Sequence, residues 1–399
     1  MKKIMLLGGS EQQIIAIKTA KRLGYYTVLC DYLPDNPGQY YADKFYEVST
    51  TDKTAVLEVA KNEKIDGIVA YATDPAAPTA AFVAEKLGLA TNPYNSVDIL
   101  CNKDKFRKFL KDNGFNSPKA YCFETASEAK DKVEEFDFPI IVKPVDSSGS
   151  KGVSVLHDSN EFDKAIEFAL SYSRCKKVVV ESFIEKKSSY MVGGDIFVIN
   201  GKVEIWGLMN SLRDSMVNPL VPVGESYPSI ISDLDSEKVK STLQSLVDKL
   251  EMRNGAMNIE LIIDKNDQVW LIDIGPRNGG NMIPDLLGYI FNVDIVEMTL
   301  KCAMGEDISF KTEESECFYA TFNLHTNKNG LFKGVEFSEE LEKYIFKKCI
   351  YKKEGDFVEY YDNSTKIIGI IFLKFNNKDE MMNILEKINY FIKINVVSL

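Results

Sequence analysis

The sequence predicts a mixed α/β and α+β protein in three regions, and three observations carry that expectation. Over the first 95 or so residues, strand-like and helix-like stretches alternate. From about 96 to 312 the texture changes, and a Lys/Asp-rich helix leads into strands that come in adjacent pairs. The rest, 313–399, is richer in Lys and Phe/Tyr and closes as strand, helix, strand, a small α+β region. Strict strand–helix alternation calls for crossover connections, hence a parallel sheet with helices on its faces.

Each element follows from its pattern. In the first region (1–95), KIMLLG reads as a strand, 11–23 as an amphipathic helix and YTVLCD as a strand. FYEVS, a helix over 53–63, DGIVAY and a helix over 76–87 complete the series. Gly8-Gly9-Ser10 stands where a dinucleotide fingerprint would lie, but Glu11, Gln12 and Gln13 follow, so a structural turn is expected. Asp74 ends the fourth strand, where open α/β sheets bind ligands; as a substrate contact it competes with a helix-start role. In the second region (96–312), NKDKFRKFLKDNGF predicts a helix, FPIIVKPV and GVSVL strands, and 160–172 a helix. KVVVESFI and DIFVINGKVEIWGLM predict strands, with helices over 235–250 and from Ile283 to about Ala303. Between them, 209–216 and 218–229 read as a loop excursion, with Arg213 either gripping a substrate carboxylate or paired with Asp214. GIIFLKF, a helix over 377–387 and YFIKINVV close the chain.

Composition narrows the function. The 399 residues suffice for two or three domains, and the net charge of -11 argues against wholesale binding to nucleic acid or an anionic membrane. No apolar run reaches the roughly 18 residues a membrane span needs. The seven cysteines include no C-x-x-C pair, so reduced thiols and a cytoplasmic location are expected. Two histidines, His157 and His325, leave little for a zinc site or a Ser-His-Asp triad.

The most informative stretch is NIELIIDKNDQVWLIDIG, a hairpin followed by Pro276, Arg277, Asn278 and a Gly-Gly pair. A two-residue turn at Asn266-Asp267, or a four-residue loop 265–268, sets Glu260 directly opposite Asp273. That register puts Ile259, Leu261 and Ile263 with Trp270, Ile272 and Ile274 on one face, and Glu260 and Ile262 with Val269, Leu271 and Asp273 on the other. Like charges so placed repel, and with oxygen as the only donor Mg²⁺ or Mn²⁺ is the natural cation between them. Lys143 interrupts the apolar strand IIVKPV, and Ser147, Ser148, Gly149, Ser150, Lys151 and Gly152 follow it. A Ser/Gly loop lets backbone N–H groups approach phosphate oxygens, although many hairpins use the same residues.

This constellation resembles the ATP-grasp superfamily, specifically the carboxylate–amine/thiol ligase group that includes biotin carboxylase and carbamoyl-phosphate synthase. The resemblance covers nearly 300 residues and implies a pre-ATP-grasp domain, a two-subdomain ATP-grasp core and ATP as the nucleotide. It implies phosphate-binding roles for Lys103, Lys143 and the loop Ser147–Gly152, and adenine recognition by Glu181, Ser182, Phe183 and Ile184. Glu181 or Glu185 would reach the ribose or purine amine, and Ile262 would lie against the adenine. Glu260 and Asp273 would hold magnesium, two ions in all, and Arg277 with Lys143 and Asn278 would serve the transferred phosphoryl group. The family usually carries Asn two residues beyond the second acid, where this chain has Gly275. The implied reaction activates a small carboxylate as an acyl phosphate and joins it to an amine or similar nucleophile, releasing ADP and phosphate. Bicarbonate phosphorylation, as in carbamoyl-phosphate synthase, and a non-catalytic ATP-binding regulator are the competing readings. The expected partners are small-molecule carboxylate and amine substrates and a second copy in a homodimer, with no nucleic acid and no membrane.

Overall fold

The computed structural model describes residues 1–398. The first unit contains β1 (Lys3–Leu7), α1 (Ile14–Arg22), β2 (Tyr26–Asp31), β3 (Lys44–Glu47), α2 (Lys53–Glu63), β4 (Gly67–Val69) and α3 (Ala77–Leu87). Its four strands pair in parallel in the order β3-β2-β1-β4, as the alternation predicts. Gly9 donates its amide to the Asp31 carboxylate, and Ser10 and Gln13 close a capping box, so the Gly-Gly-Ser segment is a structural turn. The Asp74 side chain does not cap α3, whose N-cap is Ala76. It is spent elsewhere.

Two helices, α4 (Tyr94–Leu100) and α5 (Lys103–Asp112), lead into β5 (Ala120–Phe123), α6 (Ala126–Val133), β6 (Ile140–Pro144), β7 (Ser154–Leu156), α7 (Phe162–Tyr172) and β8 (Val178–Ser182). These strands form a second four-stranded sheet, β5-β8-β6-β7, antiparallel throughout, which carries one half of the cleft.

The other half is an eight-stranded sheet, ordered β13-β12-β9-β10-β11-β14-β18-β16. It is built from β9 (Met191–Ile199), β10 (Lys202–Asp214), β11 (Asn218–Tyr227), then, after α8 (Asp233–Lys249), β12 (Gly255–Ile263) and β13 (Val269–Gly275). Helices α9 (Ile283–Phe291) and α10 (Ile295–Ala303) follow, then β14 (Phe318–Leu324), β15 (Gly330–Phe337), α11 (Glu339–Glu342), β16 (Ile345–Ile350), β17 (Phe357–Val358), β18 (Gly369–Phe375), α12 (Lys378–Glu386) and β19 (Ile392–Val397). Strands β14, β18 and β16 continue the sheet past residue 312, so the closing region shares one core with the middle one: Met209, Leu287, Phe322, Phe372 and Leu385 lie in the same apolar cluster. Similarly, Val296 and Leu300 of α10 pack with Ile4, Leu6 and Ile17 of the first unit. Among the described residues no helix is long and apolar enough to cross a membrane, and all seven cysteines are free.

Two expectations need correction. Residues 209–229 are not a loop excursion; most belong to the hairpin β10–β11. Its buried positions include Asn210, Ser211, Asp214, Glu225 and Ser226, so the apolar alternation that announces a strand is missing. The hairpin β12–β13 also departs from a uniform register. Pairing runs Asn258↔Gly275, Ile259↔Ile274, Glu260↔Asp273, then slips to Leu261↔Leu271 and Ile263↔Val269. Ile272 is the extra residue of a β-bulge. Val269 and Leu271 therefore join Ile259, Leu261, Ile263 and Ile274 in the core, while Trp270 and Ile272 leave the face expected of them. The five-residue connection 264–268 and the bulge are each one residue out of step, and they cancel at Glu260–Asp273.

Candidate active site

The bulge has a dedicated support. Arg107, on α5 and 4% exposed, donates to the carbonyls of Leu271 (3.3 Å) and Ile272 (2.7 Å), backbone groups that a bulge takes out of the ladder. The same guanidinium holds Glu181 through Nε (2.7 Å), and Lys143 Nζ bonds the other carboxylate oxygen (2.9 Å). All three side chains are buried. Burial alone would raise the Glu181 carboxyl, but Arg107 and Lys143 overcome it and hold the group at about 2. Two cations on one carboxylate leave a positive charge under the cleft floor.

That charge bears on Asp273. Its carboxyl sits below the usual carboxylate range despite desolvation, because Lys103, Lys143, Arg107 and Arg277 surround it. Lys103 opens α5, fixed by its amide to the Val145 carbonyl (3.0 Å). Its ammonium donates to the Ser147 carbonyl (2.9 Å) and stands 3.4 Å from Asp273 Oδ2. Across the strand pair, Arg213 donates to Glu260, so each acid of the opposed pair has its own cation. Arg213 does not pair with Asp214, which accepts instead from His325 (3.1 Å) and Asn389 (2.8 Å). His157 is exposed, far in character from a ligand.

Asp74, Lys103, Ser147, Ser148, Asp273 and Arg174 line one cleft of about 200 Å³. Beyond the cleft, the Ser/Gly loop is tied to the other half of the protein: Ser150 Oγ donates to the Leu220 carbonyl (2.9 Å), and the Gly149 carbonyl accepts from the Ser364 amide (3.3 Å). Gly149 and Gly152 have φ of 68° and 73°, conformations that glycine adopts without strain. Burial and the nearby Arg174 lower the Lys151 ammonium's proton affinity, as expected of a cation with no carboxylate beside it.

Several expected roles change. The Glu181 side chain is held by Arg107 and Lys143, and Glu185 is exposed and pairs with Lys265. In the hinge itself, the amides of Ser182 and Phe183 bond the carbonyls of Lys119 (2.9 Å) and Pro139 (3.3 Å), and Ile184 follows them. Ile262 lies two residues beyond Glu260 on the same strand face, opposite Trp270. Asn278 turns its side chain away from the cleft, donating to Thr299 of α10 (3.0 Å), and offers the site only its carbonyl, which accepts from Arg277 (2.9 Å). Arg277 binds the Asp74 carboxylate from the first unit. Gly275 is what lets them meet, since a Cβ there would stand 2.5 Å from Asp74 Oδ1 and 3.0 Å from Arg277 Cζ. Among the described residues, Arg277 Nε and Asp74 Oδ1 are buried without partners, which marks this corner as built for another polar group.

Two functional positions escape sequence reading. Arg107 looks like one more charge in a basic helix. Asp195, 1% exposed on β9, accepts from Asn258 Nδ2 (2.9 Å) and the Gly279 amide (2.7 Å), tying the glycine corner to the sheet. Burial pushes its carboxyl up to about 6. Its one sequence signal is an acid inside the apolar run GGDIFVI.

The opposed carboxylates fit a hard divalent cation, Mg²⁺ or Mn²⁺. Among the described residues no group of three or more His, Cys, Asp or Glu is placed to hold a metal. An ion at Glu260 and Asp273 would therefore complete its shell with water and substrate oxygens, the habit of magnesium at phosphate sites.

Residues 100–281 match the ATP-grasp domain family. The chain is 26% identical over 327 residues to the carbamoyl phosphate synthase large chain of Pseudothermotoga lettingae, covering 77% of this chain and 29% of that protein. The fold matches an L-amino acid ligase from Bacillus licheniformis with a TM-score of 0.81 at 18% identity, over 100% of this chain and 99% of that one. It also matches phosphoribosylglycinamide synthetase from Anaerococcus prevotii with a TM-score of 0.77 at 22% identity, over 99% and 100% of the two chains.

Proposed function

Because the chain carries an ATP-grasp domain, we propose that it is an ATP-dependent ligase that activates a small-molecule carboxylate as an acyl phosphate and joins it to an amine, releasing ADP and phosphate. The observation that carries this reading is Lys103, whose ammonium touches both the Ser/Gly loop at Ser147 and the acid Asp273. That contact joins a phosphate-binding loop and a cation-binding pair in one cleft.

Catalysis is then placement and electrostatics, with little side-chain chemistry. Lys103 and Lys143 neutralise phosphate oxygens; Lys143 spends one of its three N–H groups on Glu181 and has two to offer. Glu260 and Asp273 would hold magnesium, two ions in the fuller reading, which neutralises charge building on the phosphoryl oxygens. Arg277 exchanges Asp74 for the substrate's carboxylate oxygen or the transferred phosphoryl group. The substrate carboxylate attacks the γ-phosphorus, ADP leaves, and the amine displaces phosphate from the acyl carbon.

ADP release over a panel of carboxylates, with hydroxylamine present to trap any acyl phosphate as a hydroxamate, tests the reading. Carboxylate-stimulated ADP with hydroxamate supports it. Bicarbonate as the only stimulating acid supports the carbamoyl-phosphate-synthase-like alternative, which the similarity to that large chain favours. Nucleotide binding without stimulated ADP supports a regulator. Lys143→Met, which keeps the stem but loses the charge, is expected to weaken ATP binding about tenfold, taking roughly 1.4 kcal/mol off the nucleotide's stabilisation. A thermal-shift titration with ATP reads this, and an unchanged ATP affinity would remove Lys143 from the phosphate site.

A further inference from the structure

One buried carboxyl beside the clamp has no part in the scheme above. Glu225, on β11, is 6% exposed, and among the described residues its Oε2 has no hydrogen-bond partner. Its Oε1 accepts from Ser211 Oγ (2.9 Å), Ser211 accepts from Arg213 Nη1 (2.6 Å), and the same guanidinium donates to Glu260. A continuous chain of bonds thus runs from this acid to one of the two carboxylates of the clamp.

The side chain also points that way. Glu225 belongs to a strand two removed from β9, yet a Cβ built on Gly193 of β9 would stand 3.0 Å from Oε2 and 3.2 Å from Ser211 Cβ. The carboxyl therefore leans across β10. The pairs Asn258↔Asp195 and Leu261↔Val192 place Glu260 next to Gly193, and the Glu260 side chain is 30% exposed. Only a glycine without a side chain stands between the open clamp and Oε2.

An unpaired buried carboxyl oxygen costs about 1–3 kcal/mol. Burial pushes this group up to about 8, against the pull of Arg213 and the Ser211 bond. Glutamine or methionine at 225 would pack without that cost, so the acid needs a reason. A cation bonded to Oε2 removes the penalty, whereas an anion beside it adds repulsion.

We propose that Glu225 is the ammonium anchor of the acceptor site, so that the nucleophile is a primary amine bound as its ammonium ion beside the clamp. The binding half rests on the geometry of Glu225, Ser211 and Gly193; the chemical half rests on the ligase reading. In that reaction the ammonium passes one proton to the Glu225 carboxylate and becomes a neutral amine. The nitrogen lone pair forms the C–N bond at the acyl carbon as the C–O bond to phosphate breaks. Phosphate leaves with that electron pair and takes the second nitrogen proton.

Two variants probe the anchor. Glu225→Gln removes the counter-charge at nearly constant shape. Gly193→Ala, at a residue of ordinary backbone conformation, fills the gap in front of Oε2. Thermal-shift titrations with Mg·ADP present compare methylamine, ethanolamine and the common amino-acid amides with their N-acetyl counterparts. At least one primary amine is expected to raise the melting temperature of the parent chain, and its affinity to fall about 10- to 100-fold in both variants. The acetylated compounds are expected to produce no shift. If no amine binds, or if Glu225→Gln keeps full amine affinity, the anchor is wrong. Hydroxamate formation by the parent chain judges the ligase reading separately. Amine binding without hydroxamate keeps the anchor and sinks the ligase; hydroxamate without amine binding does the reverse.

Discussion

Asp273→Asn is expected to lower ADP formation by on the order of 10³-fold or more, with the fold intact. The substitution removes one negative charge from a pair that the bulge holds directly opposed, Glu260↔Asp273. A single carboxylate and an amide make a poor site for a hard cation, and the surrounding Lys103, Lys143, Arg107 and Arg277 then face one acid fewer. The stability cost is small for a separate reason. The Asp273 side chain is 42% exposed and its ion pair with Lys103 is 3.4 Å long, so solvent screens what is lost to well under about 1 kcal/mol. Steady-state ADP release and a melting curve on the same preparation decide the matter. A well-folded variant with parental turnover would take Asp273 out of the reaction.

Arg107→Met is expected to act in the opposite sense, on stability before chemistry, with a loss of about 3–5 kcal/mol. Methionine fills much of the space, but Glu181 loses one of its two cations and the carbonyls of Leu271 and Ile272 lose their donor. Urea unfolding followed by tryptophan fluorescence reads the effect, since Trp270 sits on the bulged strand. A loss below about 1 kcal/mol would mean that Lys143 alone satisfies Glu181. The pH dependence has a definite sign. Desolvation opposes Glu181 ionisation, yet Arg107 and Lys143 hold its folded carboxyl at about 2 against 4.5 ordinarily. The stabilisation is therefore complete above about pH 4.5 and is lost as pH falls toward 2. In Arg107→Met that acid transition moves to higher pH.

These two variants divide along a line that also separates what can be read in the chain from what cannot. Lys143 and Asp273 stand out because each interrupts an apolar strand, and a charge in such a run costs too much to be incidental. Arg107 sits in NKDKFRKFL among three lysines, where nothing in the sequence distinguishes a solvated cation from a buried one. Glu225 and Ser211 were hidden by the same logic in reverse: their strands carry so many polar residues facing the site that they look like loop.

The N-terminal parallel sheet and the β12–β13 hairpin that carries both acids were determined by the sequence itself. Periodicities of 2 and 3.6 and a short hairpin are local properties, and residues close in the chain must meet. The tertiary structure decided everything that depends on distant partners. It set the bulge at Ile272 that rescues the Glu260–Asp273 pairing, and it paired Glu181 with Arg107 and Lys143. It turned Asn278 into the helix side and bound Arg277 to Asp74, some 203 residues away in the chain. A buried charge takes whichever counter-charge packing brings within reach, and pairing across such separations leaves no periodic mark on the sequence.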